Sequence, residues 1–127
     1  MTGYTLTITP KPAYLHATIT GPNTLENVAG YLEEVRRACE ERGCRRVLIE
    51  ERLEGPRLPA ADVFQIASGA SSGVKRHFEA IAYVDVNAQR GLMTFAESVA
   101  VNRGVPVRVF ASVDEAEAWL LSLGDAA

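Results

Sequence analysis

Short apolar runs alternate with amphipathic stretches along the whole chain, and that alternation leaves few folds open to it. Tyr4, Leu6 and Ile8 alternate with Thr5, Thr7 and Thr9, the period of a strand with one apolar face. Pro10 and Pro12 break it, and a second strand follows from Tyr14 to Thr20, with Leu15, Ala17 and Ile19 on one side. After the Gly21-Pro22 turn, Asn23 and Glu26 have the spacing of a capping pair. The helix they open carries Leu25, Val28, Leu32, Val35 and Cys39 on its inner stripe and ends at Gly43. Val47-Leu48-Ile49 is a continuous apolar run, as expected of a strand covered on both faces.

A polar loop from Arg52 to Leu58 comes next, and Pro59 opens a second helix through Val63, Ile66, Ala67 and Ala70. Phe78 to Val84 reads as the fourth strand and Asp85 to Ala88 as a loop. Leu92, Phe95, Ala96 and Val99 mark a third helix that closes at Gly104. The C-terminal stretch then compresses the pattern into seventeen residues. Val107, Val109 and Phe110 form a strand, Ser112 and Glu115 a capping box, and Val113, Ala116, Leu120 and Leu123 a helical stripe beside Trp119.

The order is therefore strand, strand, helix, strand, helix, strand, helix, strand, helix. Parallel strands need crossover connections, so this order predicts an α/β fold. The expectation is a single domain over residues 1–127, with a five-stranded, mostly parallel mixed sheet and four helices on both faces. The first strand, joined to the second by a short turn, is its antiparallel N-terminal edge. At 127 residues the chain can bury a core without staples.

A net charge of −3 argues against general nucleic-acid binding, which requires a clustered basic surface. No apolar run reaches membrane-spanning length, and the N-terminus lacks a basic-then-apolar signal. Cys39 and Cys44 lack the spacing of a redox or zinc pair and suit a reducing compartment, so a cytoplasmic protein is expected.

In element order, and most closely in Ile81-Ala-Tyr-Val-Asp85, Glu97-Ser-Val-Ala-Val-Asn-Arg-Gly104, Val107-Arg-Val-Phe110 and Glu115-Ala-Glu-Ala-Trp-Leu120, the chain resembles the SpoIIAA-like branch of the STAS-type domains. The resemblance implies a bacterial regulatory or ligand-binding module: an antagonist of anti-sigma factors, a module on an anion transporter, or a binder of small ligands or lipids. Antagonists of that family carry a phosphorylatable Ser where the loop after the middle strand enters the next helix. The matching stretch here, Leu53-Glu-Gly-Pro-Arg-Leu-Pro-Ala-Ala-Asp62, holds neither Ser nor Thr, so no such switch is expected.

With the strand order that this resemblance implies, a ligand crevice lies between the loops after the second and fourth strands. The first loop supplies Asn23 and Thr24, the second Asp85, Asn87, Gln89 and Arg90. Both lead into helix N-termini, which favour an anion; Arg90 would clamp a carboxylate or phosphate, and Asp85 would bind a hydroxyl or cation. Against this, Asn23 has an ordinary capping role and the Asp85 loop can satisfy its own backbone. Glu50, Glu51 and Glu54 with Arg52 and Arg57 read as a solvated, internally paired loop.

His16 and His77 have no spaced partners, so no metal site or Ser–His–Asp set is expected, and no cofactor. Ser68 to Gly73 with Lys75 lacks the Gly-Lys-Ser/Thr ending of a phosphate loop and follows a helix. His16 shares the polar face of the second strand with Tyr14, Thr18 and Thr20, which are either hydrogen-bonded under a helix or less covered than a central strand requires. Phe64, Met93 and Val101 fall off the main apolar stripes and suit a lipid-type groove or a homodimer seam.

The leading expectation is a non-catalytic STAS-like module that binds a regulatory protein or a small amphipathic or anionic ligand. Alternatives are a small enzyme or metabolite-binding protein using Asp85 and Arg90, and a structural homodimer.

Overall fold

Two threonine-rich strands start the sheet. β1 (Thr5–Pro10) and β2 (Leu15–Pro22) pair antiparallel, Thr7 opposite Thr18, across a tight turn closed by the Lys11 N–H on the Tyr14 carbonyl at 2.9 Å. The chain continues as α1 (Leu25–Arg42), β3 (Arg46–Glu54), α2 (Ala60–Gly69), β4 (Ala80–Asp85), α3 (Arg90–Asn102), β5 (Val107–Phe110) and α4 (Val113–Ser122). The computed structural model describes residues 3–55, 58–69, 77–85 and 90–124. The five strands form one mixed sheet in the order β1-β2-β3-β4-β5, with every pair after the first parallel. This is the α/β domain that the alternation of patterns predicts.

The strand order has a consequence for the layers. Each of the three crossovers advances one position in the same direction, so connections of one hand place their helices on one face. α1, α2 and α3 do share a face, over a core built from Leu15, Ala17, Ile19, Val47, Ile49, Leu53 and Ile81. α4 alone among the described helices packs on the other face, where Ala116 and Leu120 meet Leu48, Ala80, Ala82 and Val84. It covers β3, β4 and β5. The question posed by Tyr14, His16, Thr18 and Thr20 is answered by position: Tyr14 is buried and bonded to Glu117 of α4, His16 and Thr18 are half-buried, and Thr20, beyond the helix, is exposed.

Local chemistry sets the element ends, with some shifts from expectation. Thr24, not Asn23, is the N-cap of α1, its hydroxyl accepting from the Asn27 N–H at 3.1 Å. Asn23 instead donates its N–H to the Glu54 carbonyl at 2.7 Å. Tyr31 joins Val28, Val35 and Cys39 as a buried residue of α1, while Leu32 is half-buried. Gly43, at φ 64°, ends the helix by returning its N–H to the carbonyls of Cys39 and Glu40. Ser112 caps α4 as expected, accepting from the Glu115 N–H at 3.2 Å.

The largest difference lies in β3. It runs on through Arg52, Leu53 and Glu54, so the stretch expected to be a solvated loop is the end of a central strand. Asp85 likewise closes β4 instead of opening a loop. Pairing holds β3 extended, with β4 as far as Glu51 opposite Asp85 and with β2 on to Glu54 opposite Pro22. The serine-rich stretch 70–76 lies outside the described residues.

Gly21 is the tightest backbone contact of the sheet. Its φ is 131°, and a Cβ there would sit 2.4 Å from the Gly3 carbonyl oxygen and 2.8 Å from the Tyr4 Cα. Relief would pull β1 away from β2. Gly21→Ala is therefore expected to cost about 3 kcal/mol, from strain plus clash. Gly43→Ala, where a Cβ meets nothing within 4 Å, should cost about 1 kcal/mol, from the left-handed backbone alone. Urea unfolding of the two variants measures the difference.

Candidate functional site

Alternation along β3 sends Glu50 and Glu51 to opposite faces of the sheet. Glu51 follows Val47 and Ile49 onto the three-helix face and is only 3% exposed. A carboxylate there has lost its water and must be satisfied by protein groups. Three side chains do this. Tyr31, from the inner stripe of α1, and Tyr83, from β4, both direct their phenols at Glu51 Oε2, and the two hydroxyl oxygens lie 2.5 Å apart. Asp85, the residue paired with Glu51 across the β3–β4 ladder, shares a carboxyl–carboxyl hydrogen bond with it.

Such a bond requires a proton, because two ionised carboxylates cannot remain in hydrogen-bond contact. Burial pushes the Glu51 carboxyl up to about 7, the charge of Asp85 adds to the effect, and the two tyrosine hydrogen bonds oppose it. A carboxyl raised this far exchanges its proton near neutral pH. Burial, then the neighbouring charges, holds the Tyr31 and Tyr83 phenols well above their ordinary range, so both remain neutral donors. Among the described residues, no buried side-chain oxygen or nitrogen lacks a partner.

Glu50 shows the opposite behaviour on the other face. Burial works to raise its pKa, but hydrogen bonds from Arg52 and His16 outweigh that and hold the carboxyl below its ordinary range. His16 Nε2 lies 2.8 Å from Glu50 Oε1, and Arg52 Nε donates to Oε2. Two successive glutamates, one stabilised as an anion and one as an acid, mark Glu51 as the group with chemistry near neutral pH.

The four-residue cluster sits at the carboxyl ends of two adjacent parallel strands, the usual side for ligands in open α/β sheets. It is not the crevice expected from the sequence. In the order β1-β2-β3-β4-β5 the strand direction of winding never reverses, so no switch point exists, and β3 separates the loops after β2 and β4. Thr24 is engaged as a cap and Asn23 as a tie to Glu54, on the far side of β3 from Asp85. Asp85 is thus the member of the expected set that the structure places in the cluster. Asn87 and Gln89 lie outside the described residues, and Arg90 opens α3 with its side chain outside them.

The suggested groove behaves differently from its parts. Phe64 is 43% exposed and stacks on Phe95 at 6.5 Å, with the Arg103 guanidinium 5.4 Å above the Phe64 ring. Phe95, expected in the core, is exposed because α3 packs inward through Val99 and Ala100. Val101 is exposed as well, and the Met93 side chain lies outside the described residues.

Sequence reasoning missed Glu51, Tyr31 and Tyr83. The signal was present: Val47, Ile49, Glu51 and Leu53 keep one parity, as do Ile81, Tyr83 and Asp85, and Tyr31 lies three residues from Val28 and four from Val35. Extending the strand beyond its apolar run would have exposed it.

Among the described residues no group of three His, Cys, Asp or Glu side chains is placed to hold a metal ion, and no described helix is long and apolar enough to cross a membrane. No protein-family model matches the chain, and no curated protein matches it in sequence.

The sign of the pH effect follows from the raised Glu51 value. The folded state holds that proton more tightly than the unfolded chain, so the stabilisation is complete below about pH 4.5 and is lost as pH rises to about 7. Stability should fall by about 3 kcal/mol across that window from this group. Glu51→Gln, which keeps the shape and hydrogen-bonding capacity, should flatten it. Urea midpoints at a series of pH values check both curves.

Proposed function

We propose that this chain is a non-catalytic binding module of the STAS-like, SpoIIAA-like kind, which takes a small amine-bearing cation at the carboxyl ends of β3 and β4. The observation that carries the reading is the Glu51–Asp85 pair, two carboxyls sharing a hydrogen bond beneath a helix-covered face. Asp85 is the partly exposed member and forms the contact, while Glu51 lies behind it. An ammonium group beside Asp85 would offset the negative charge that burial and the neighbouring carboxyl disfavour on Glu51. An anion would add to that charge, so the acidic pair favours a cation over the anionic ligand anticipated from the helix ends. A lysine side chain of a regulatory protein carries the same chemistry.

Holding, as opposed to turnover, is supported by the way the cluster is built. Both phenols are engaged on Glu51, and the carboxyl is too enclosed to present a free lone pair to a reacting atom. A cytoplasmic setting belongs to the same proposal and is supported by the two free thiols, Cys39 and Cys44.

Thermal-shift measurements with matched sets of small amines, polyols and carboxylates test the reading at about pH 8, above the raised Glu51 value. Amines are expected to raise the Tm of the native chain and to have little effect on Asp85→Asn. Stabilisation by carboxylates that survives Asp85→Asn would overturn the proposal. Hydrolytic turnover of a simple ester or phosphate that is lost in Asp85→Asn would replace it with the enzyme reading.

A further inference from the structure

The two edges of the sheet are protected very differently. β5 is only four residues long, carries Arg108 at its centre, and has its Val109 N–H taken by the Glu97 carboxylate at 2.7 Å. Shortness, a charge and a side-chain cap are the usual ways in which an edge is closed to further pairing. β1 has none of these over most of its length. Tyr4-Thr-Leu-Thr-Ile-Thr9 contains no charged residue and consists entirely of strand-favouring types. Its blocking residues, Pro10, Lys11 and Pro12, stand at one end. Among the described residues no strand pairs with its outer side.

The side chains of β1 also suit a particular occupant. Thr5, Thr7 and Thr9 are exposed on the face that α4 leaves open, and Leu6 and Ile8 are half-buried against the three-helix core. α1 packs over β2 and meets this region at its start, where Gly3 donates its N–H to Asn27 Oδ1 and Tyr4 bonds Glu34 and sits edge-on to Tyr31. Leu6 and Ile8 therefore lie at the margin of the helical layer, with part of their surface uncovered. An antiparallel copy of the same strand, centred on Thr7, would set Leu6 opposite Ile8 of the second copy, Thr5 opposite Thr9, and Thr7 opposite itself. Every apolar residue then meets an apolar residue and every threonine a threonine, with no charge brought into the seam.

We propose that β1 pairs with β1 of a second copy of this chain about a twofold axis through Thr7, joining the two sheets into one. Self-complementarity is what an isologous contact requires, and an axis through Thr7 gives it to the whole of Thr5–Thr9, with Pro10 and Lys11 kept to the ends of the seam. A register shifted by one residue would set Thr against Leu or Ile and turn the second copy's apolar face to the other side of the sheet. The seam is one short strand wide, at the small end for stable assemblies, so association is expected at about micromolar concentration.

Sedimentation equilibrium of the full chain across micromolar concentrations tests the seam, together with two substitutions at an exposed position. A concentration-dependent dimer is expected. Thr7→Lys, which brings like charges together on the axis, should raise the dissociation constant about tenfold or more without lowering the monomer's Tm. Thr7→Cys should form a disulfide-linked dimer on mild oxidation, because paired residues of adjacent strands lie within bridging distance. Thr5→Cys should do so far less, since its partner position is Thr9, and the native chain should not. A monomer at every concentration overturns the proposal. So does a dimer indifferent to Thr7→Lys, which would move the interface elsewhere, with the Phe64–Phe95 surface the next to examine. Equal cross-linking from Thr5→Cys would reject the register.

Discussion

Unidirectional winding of the four parallel strands governs the rest of this molecule. Because β2, β3, β4 and β5 follow one another across the sheet, the three crossover helices gather on one side and α4 is left to cover part of the other. β3 then has a strand on either side, three helices above it and α4 below its first half. From Arg46 to Glu51 a side chain on β3 has little access to water whichever way it points. Glu50 and Glu51 are buried for that reason, and each has acquired partners to match.

Those partners differ because the two faces differ. On the open side, Glu50 meets two basic side chains within reach of solvent, and its charge is retained. On the helical side, Glu51 meets phenols and another carboxyl, and its charge is disfavoured. A one-residue step along a pleated strand therefore separates a structural ion pair from a proton-exchanging site. Neither outcome follows from residue type, since both are glutamates in the same tripeptide. The contrast also explains why the site lies at the strand end: further back, Val47 and Ile49 occupy the same face and leave no polar group to serve.

The same layering bears on the sheet edges. With helices concentrated over β2 to β5, β1 lies at the border of the helical layer, and its apolar side chains are only partly covered. At the opposite edge, Glu97 from α3 reaches the β5 backbone and occupies a donor that another strand would use. One border is thus closed by its own helix and the other is not.

Element types and order were legible from periodicity alone, because alternation along Thr5–Pro10 and the 3.6-residue stripe of α1 reflect interactions within a few residues. Caps at Ser112 and the break at Gly43 were legible for the same reason, being local hydrogen-bond chemistry. The length of β3 was not, since Glu50, Glu51 and Arg52 resemble a loop until the ladder to β2, joined as far as Glu51 by the ladder to β4, holds them extended. Asp85 could be nominated from its place after an apolar strand, but its partner could not, because Tyr31, Glu51 and Tyr83 come from three separate elements. Local periodicity is written into neighbouring residues; strand order, and with it the meeting of two carboxyls beneath a helix, arises only when distant segments pack and exclude water.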